Sequence, residues 1–113
     1  MLGKSQFYII VSILICFSAY AEEKLPLGTI KKGSLSNQKL ISDTKVGVAA
    51  KVATLGCNNL NDFEPYVVAN PKGKPGAQFW KERWIVNGCG KKFPVNIRFS
   101  EDGLGGAFWT IEN

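Results

Sequence analysis

Hydrophobic and polar residues alternate most regularly from Gln78 to Phe99, QFWKERWIVNGCGKKFPVNIRF. Trp80, Glu82, Trp84 and Val86 fall on one side of an extended chain, with Lys81, Arg83, Ile85 and Asn87 on the other. Phe93, Val95, Ile97 and Phe99 alternate with Pro94, Asn96 and Arg98 in the same way. Period two in runs rich in β-branched and aromatic residues predicts two half-buried antiparallel strands. Between them, Asn87-Gly88-Cys89-Gly90 supplies the glycine that a tight turn needs. Two registers compete. A two-residue Asn87-Gly88 turn sets Trp84 opposite Lys91, whereas a Gly88 to Lys91 loop pairs Val86 with Phe93, Trp84 with Val95 and Trp80 with Phe99. Local turn chemistry favours the first. The second joins apolar to apolar, at about 0.2–1 kcal/mol for each pair, and is the expected one. Either register leaves one greasy face that needs a cover and one face carrying cations.

That cover is predicted from Leu40 to Leu55. Val48, Val52 and Leu55, with Ala49 and Ala53 alongside, form a stripe at helical spacing. Ser42 or Asp43 can cap a helix whose body is Thr44 to Leu55, and Gly56 stands where a helix stop belongs. Phe63 to Asn70 reads as a short strand, placed at an edge by Pro65. Ser100 to Gly103 has the composition of a second hairpin turn. Gly105-Gly106 is expected to open the last strand with a bulge, and Ala107 to Ile111 completes it. The prediction is an α+β domain over residues 40–113: one helix packed on a roughly four-stranded antiparallel meander. Residues 22–39, rich in glycine, serine and lysine without sustained periodicity, read as a flexible leader.

Composition changes this picture at the N-terminus. Lys4, the apolar run Phe7 to Phe17 and the small-x-small triplet Ala19-Tyr20-Ala21 are the layout of a secretory signal peptide over residues 1–21. The apolar run is short for a membrane span, which needs about 20 residues, so an uncleaved anchor is the weaker reading. A lipoprotein at Cys16 is disfavoured by bulky Ile15. Cleavage near Ala21 would leave an exported chain, periplasmic or secreted, whose two remaining cysteines, Cys57 and Cys89, read as one disulfide. It would stabilise by about 3–4 kcal/mol in the chain-entropy model. A zinc site would need carboxylates as ligands, because the chain has no histidine. No cofactor is expected.

Of the 14 basic groups only Lys4 lies in the signal, leaving 13 against nine acidic groups, a net of +4. Outside the cell this points to anionic envelope material, a membrane surface or an acidic protein rather than nucleic acid. Lys81, Arg83, Lys92 and Arg98 are the candidate binding residues, with Lys72, Lys74 and Lys91 as extensions; a solvated outer face explains the same pattern.

The series Trp80, Glu82, Trp84, Val86, Cys89, Gly90 (W-x-E-x-W-x-V-x-x-C-G), followed by Phe99, Gly105 and Gly106, resembles small exported bacterial proteins of unknown function. The resemblance spans roughly the last half of the chain. It implies a bacterial envelope origin and no activity.

Catalytic chemistry is poorly provided for. Without histidine or a free thiol, the commonest bases and nucleophiles are missing. Glu82 with Glu101 or Asp102 is the remaining acid pair. The competing assignment makes Glu101 and Asp102 turn residues and Glu82 a hydrogen-bond acceptor for the helix or the leader, because buried charges are generally paired. The expected function is a non-catalytic binding or structural protein of the bacterial envelope. The alternative is a small secreted inhibitor or effector-type protein that binds another protein. For that second class Phe79, Ile85, Trp109, Tyr66 and Val68, all outside the assigned core, would form the contact patch.

Overall fold

The computed structural model describes residues 25–112, so the expected signal peptide, residues 1–21, lies outside the described residues. The elements run β1 (Lys31–Lys32), α1 (Gln38–Thr54), β2 (Leu60–Lys72), β3 (Phe79–Gly88), β4 (Lys91–Glu101) and β5 (Ala107–Glu112). The strands form one antiparallel sheet in chain order, β1-β2-β3-β4-β5, with α1 across one face. The α+β class and the helix-on-meander arrangement hold. The strand number is five rather than four.

The additional strand comes from the segment expected to be a flexible leader. Lys31 and Lys32 pair with Val67 and Tyr66. The amides of Ile30 and Gly33 donate to the carbonyls of Val67 and Pro65, each at 2.8 Å. Two residues carry no readable period, so this strand was invisible until β2 offered its free main-chain groups. Pro65 consequently sits on an inner strand, where its carbonyl is used and its missing amide is not.

The helix starts earlier than expected, at Gln38 instead of Thr44. Asn37, with φ −75° and ψ 172°, is the cap, and its side-chain oxygen accepts from the Leu40 amide at 2.9 Å. The candidate caps Ser42 and Asp43 lie inside the helix. At the other end Gly56 has φ +100°, the left-handed conformation that glycine adopts most easily, and its amide closes onto Ala53.

Between β3 and β4 the apolar register prevails: Val86 faces Phe93, Trp84 faces Val95 and Trp80 faces Phe99. The ladder continues to Gly88 and Lys91, so the connection is tighter than a four-residue loop. Cys89 (φ +53°) and Gly90 (φ +70°) make a two-residue turn with both central residues left-handed, the handedness that matches strand twist. A cysteine in that conformation is held by its bond to Cys57, with Cα atoms 6.0 Å apart and a sequence separation of 32. A Cβ on Gly88 would stand 3.1 Å from the Cys57 sulfur and 2.8 Å from the Asn59 carbonyl oxygen, so only glycine lets the bridge approach.

The core is what the alternation implied. Trp80, Trp84, Val86, Val95, Ile97 and Phe99 are buried beneath Val48 and Val52 of α1, with Cys57 at the margin. Trp80 stacks on Phe99 at 5.3 Å, and Phe63 meets Trp84 edge-on at 6.3 Å. Trp109 belongs to this side as well, opposite Phe99 and packed on the core. Its assignment to an outward patch is therefore corrected. Gly47 explains how it fits: a Cβ there would lie 2.0 Å from the Trp109 ring, so the helix rests on the indole at a point where it has no side chain.

Candidate functional site

Lys81, Arg83, Lys92 and Arg98 project from β3 and β4 on the face opposite α1, as strand alternation requires. Their surroundings are less bare than the sequence suggested. Lys81 lies 3.3 Å from Glu112 of β5, and Lys92 lies 3.9 Å from Glu64 of β2 while donating to the Asn87 side-chain oxygen at 2.9 Å. Arg83 donates to the Asn96 side-chain oxygen at 2.8 Å and to the Leu27 carbonyl. The Arg98 guanidinium covers the Phe79 ring at 4.5 Å. Asp62 joins this surface by accepting from Asn87, which also donates to Glu64 at 2.6 Å.

Four cations are thus interleaved with three carboxylates, Asp62, Glu64 and Glu112. The two lysines are paired with acids. The two arginines are held by neutral partners, and the seven charged groups together leave a net of +1. Phe79 and Ile85 are half-buried beside them, and Tyr66 is buried although it points to this side. The sequence located the cations correctly but could not show their counter-ions, which arrive from strands one or two positions away in the sheet.

Glu82 occupies the opposite side and is fully buried, at 0% exposure. One carboxylate oxygen accepts the Trp84 indole N–H at 2.8 Å. The other accepts the Trp80 indole N–H at 2.8 Å, and the Ser34 hydroxyl and Leu35 amide at 3.0 Å each. Four donors therefore converge on one carboxylate. Two come from its own strand, where i ± 2 neighbours share a face, and two from the segment before α1. The acceptor role expected for Glu82 is what the geometry provides, with the leader supplying the external donors.

Its proposed acidic companions are used elsewhere. Glu101 accepts the Gln78 amide at 2.8 Å. Asp102 closes the β4–β5 turn, accepting from the amides of Leu104 (2.7 Å) and Gly106 (3.0 Å). Both are the turn and strand-end residues that their sequence context implied. No bulge interrupts the β4–β5 ladder.

A cleft of about 470 Å³ lies between the start of α1 and the β4–β5 turn, walled by Leu35, Leu40 and Trp80 with Lys39, Asp43 and Glu101 at its rim. Lys39 and Asp43 form an exposed pair at 3.5 Å. Because Glu101 is bonded to the Gln78 amide, the rim presents no free pair of carboxylates for acid–base work.

The chain matches no protein-family model, no curated protein and no solved structure.

Proposed function

We propose that the chain is an exported, non-catalytic binding or structural component of the bacterial envelope, with the open face of the sheet as its contact surface. The observation that carries this reading is the gathering of Lys81, Arg83, Lys92 and Arg98 on a sheet face with no helix over it among the described residues. The Cys57–Cys89 bridge is compatible with an oxidising compartment. Glu82 supports a non-catalytic role, since its oxygens are already committed to four donors. Anionic envelope material is the partner that the net positive charge of this face suits.

Binding of the oxidised protein to vesicles containing phosphatidylglycerol, measured at low and high salt, tests this. Binding that weakens with salt and is lost in a Lys81→Glu/Arg83→Glu/Arg98→Glu variant is the expected result. Equal binding by the variant would refute the electrostatic surface.

A second reading, an inhibitor or effector-type protein that acts on another protein, is favoured by the pairing of Lys81 and Lys92 with acids. A surface where arginine lies against phenylalanine and the lysines are neutralised has the composition of a protein contact. Capture of a defined envelope protein by the native chain but not the triple variant, without vesicle binding, would select it.

A further inference from the structure

The two edges of the sheet are built differently. On the β1 side, the edge is protected. Strand β2 carries Pro65 and three register irregularities, the two-residue β1 covers its centre, and Lys31, Lys32 and Lys72 stand along it. Bulges, proline, short outer strands and lysines are the devices by which sheets avoid pairing with other chains. Strand β5 at the other edge has none of them. Ala107–Glu112 is six residues of AFWTIE in unbroken register with β4, without proline or lysine. Its one charged side chain, Glu112, is turned inward across β4 to Lys81.

The direction of its main-chain groups follows from the ladder. The Asp102 amide donates to the Gly106 carbonyl, and the Glu101 amide to that of Gln78. Alternation along an antiparallel pair then directs the groups of Phe108, Thr110 and Glu112 towards β4. It leaves the N–H and C=O of Ala107, Trp109 and Ile111 at an edge that no other strand pairs with among the described residues. An apolar side chain flanks that edge on the outer face, where Phe108 is 54% exposed.

We infer that β5 pairs antiparallel with β5 of a second copy about a two-fold axis at Trp109, joining two five-stranded sheets into one. The sequence is self-complementary in that register. Trp109 meets its own copy, Ala107 meets Ile111 and Phe108 meets Thr110, so inner residues face inner residues and outer face outer. Every open main-chain group of Ala107, Trp109 and Ile111 then finds a partner. An axis at Trp109 pairs all three of these residues within Ala107–Glu112, whereas an axis at Thr110 sets Ala107 opposite a residue outside the strand, which is why Trp109 is the centre. This pairing uses neither the cationic face nor Glu82, so it stands or falls apart from the proposed envelope role.

Sedimentation of the oxidised protein across about 1–100 µM tests it, because a two-fold dimer dissociates on dilution. Two variants spare the β4 ladder: Ala107→Pro removes an amide that faces outward, and Phe108→Lys puts a charge beside the seam. A native dimer whose dissociation constant rises about tenfold or more in both variants is the expected result. Amide exchange in the native protein is a second reading, independent of whether the variants fold. The amides of Trp109 and Ile111 should become protected as concentration rises. A protein that stays monomeric throughout, a dimer unaffected by both substitutions, or edge amides that exchange equally fast at all concentrations would overturn the inference.

Discussion

Glu82 and Arg83 are consecutive residues that hold the same segment from opposite faces of the sheet. On the helix side Glu82 accepts from Ser34 and Leu35; on the open side Arg83 donates to the carbonyl of Leu27. Between those points the chain passes the sheet edge as β1, and at Asn37 it turns into the helix. A strand necessarily sends neighbouring side chains to opposite faces, so one dipeptide can clamp a segment that wraps the edge. The start of α1 is thereby tied to the centre of the sheet.

Glu82→Gln should be strongly destabilising for so small a change. The amide keeps one acceptor oxygen but brings two donors into a site that already holds four. At least one indole or amide N–H then faces an N–H. The expected loss is about 3 kcal/mol, read from the denaturant midpoint. Hydrogen exchange should show faster opening of the Leu35 amide. In Arg83→Ala the same measurement should leave Leu35 protected. Exchange at Leu35 that is identical in both variants and in the native protein would contradict the clamp.

Gly47→Ala should destabilise the protein, although the same change normally favours a helix by up to about 1 kcal/mol. The new methyl would overlap the Trp109 ring, and overpacking of this kind costs about 1–3 kcal/mol. Combining it with Trp109→Phe should recover part of the loss, giving a non-additive double-mutant cycle. Simple additivity would mean that the helix does not rest on this indole.

The helix start can be checked by comparing caps. Asn37→Ala should cost about 1 kcal/mol, the usual value for removing a capping side chain. Ser42→Ala should be neutral or slightly stabilising, since that residue lies inside the helix. Thermal melts of the two variants decide it, and the reverse ordering would place the cap where the sequence pattern alone put it.

Reduction of Cys57–Cys89, or replacement of both residues by serine, should lower stability by about 3–4 kcal/mol in the chain-entropy model. The loss should also release the Cys89-Gly90 turn, because a non-glycine residue at positive φ is retained only while its surroundings enforce it. Chemical shifts confined to the turn, with the β3–β4 ladder intact, are the expected signature in the reduced protein. An unchanged denaturation midpoint would show that the bridge contributes little.

Much of this architecture was legible in the sequence by itself. Alternation at Trp80 to Val86 and Phe93 to Phe99 determined two strands and their greasy face, because side-chain period two leaves the same face in either register; pairing apolar with apolar selected the register. The stripe of Val48 and Val52 and the stop at Gly56 determined a helix, and the two cysteines outside the expected signal peptide, Cys57 and Cys89, predicted the staple. What only the tertiary structure decided depends on groups distant in the chain. Lys31–Lys32 became a strand because β2 had main-chain groups to offer, not because two lysines favour one. Trp109 turned inward because Gly47, more than 60 positions away, leaves space for its ring. Glu82 is accommodated by two indoles, the Ser34 hydroxyl and a passing amide, and the lysines of the open face acquired counter-ions from neighbouring strands. Local pattern determines which face a residue belongs to; what it meets on that face is settled by long-range packing, on which local periodicity is silent.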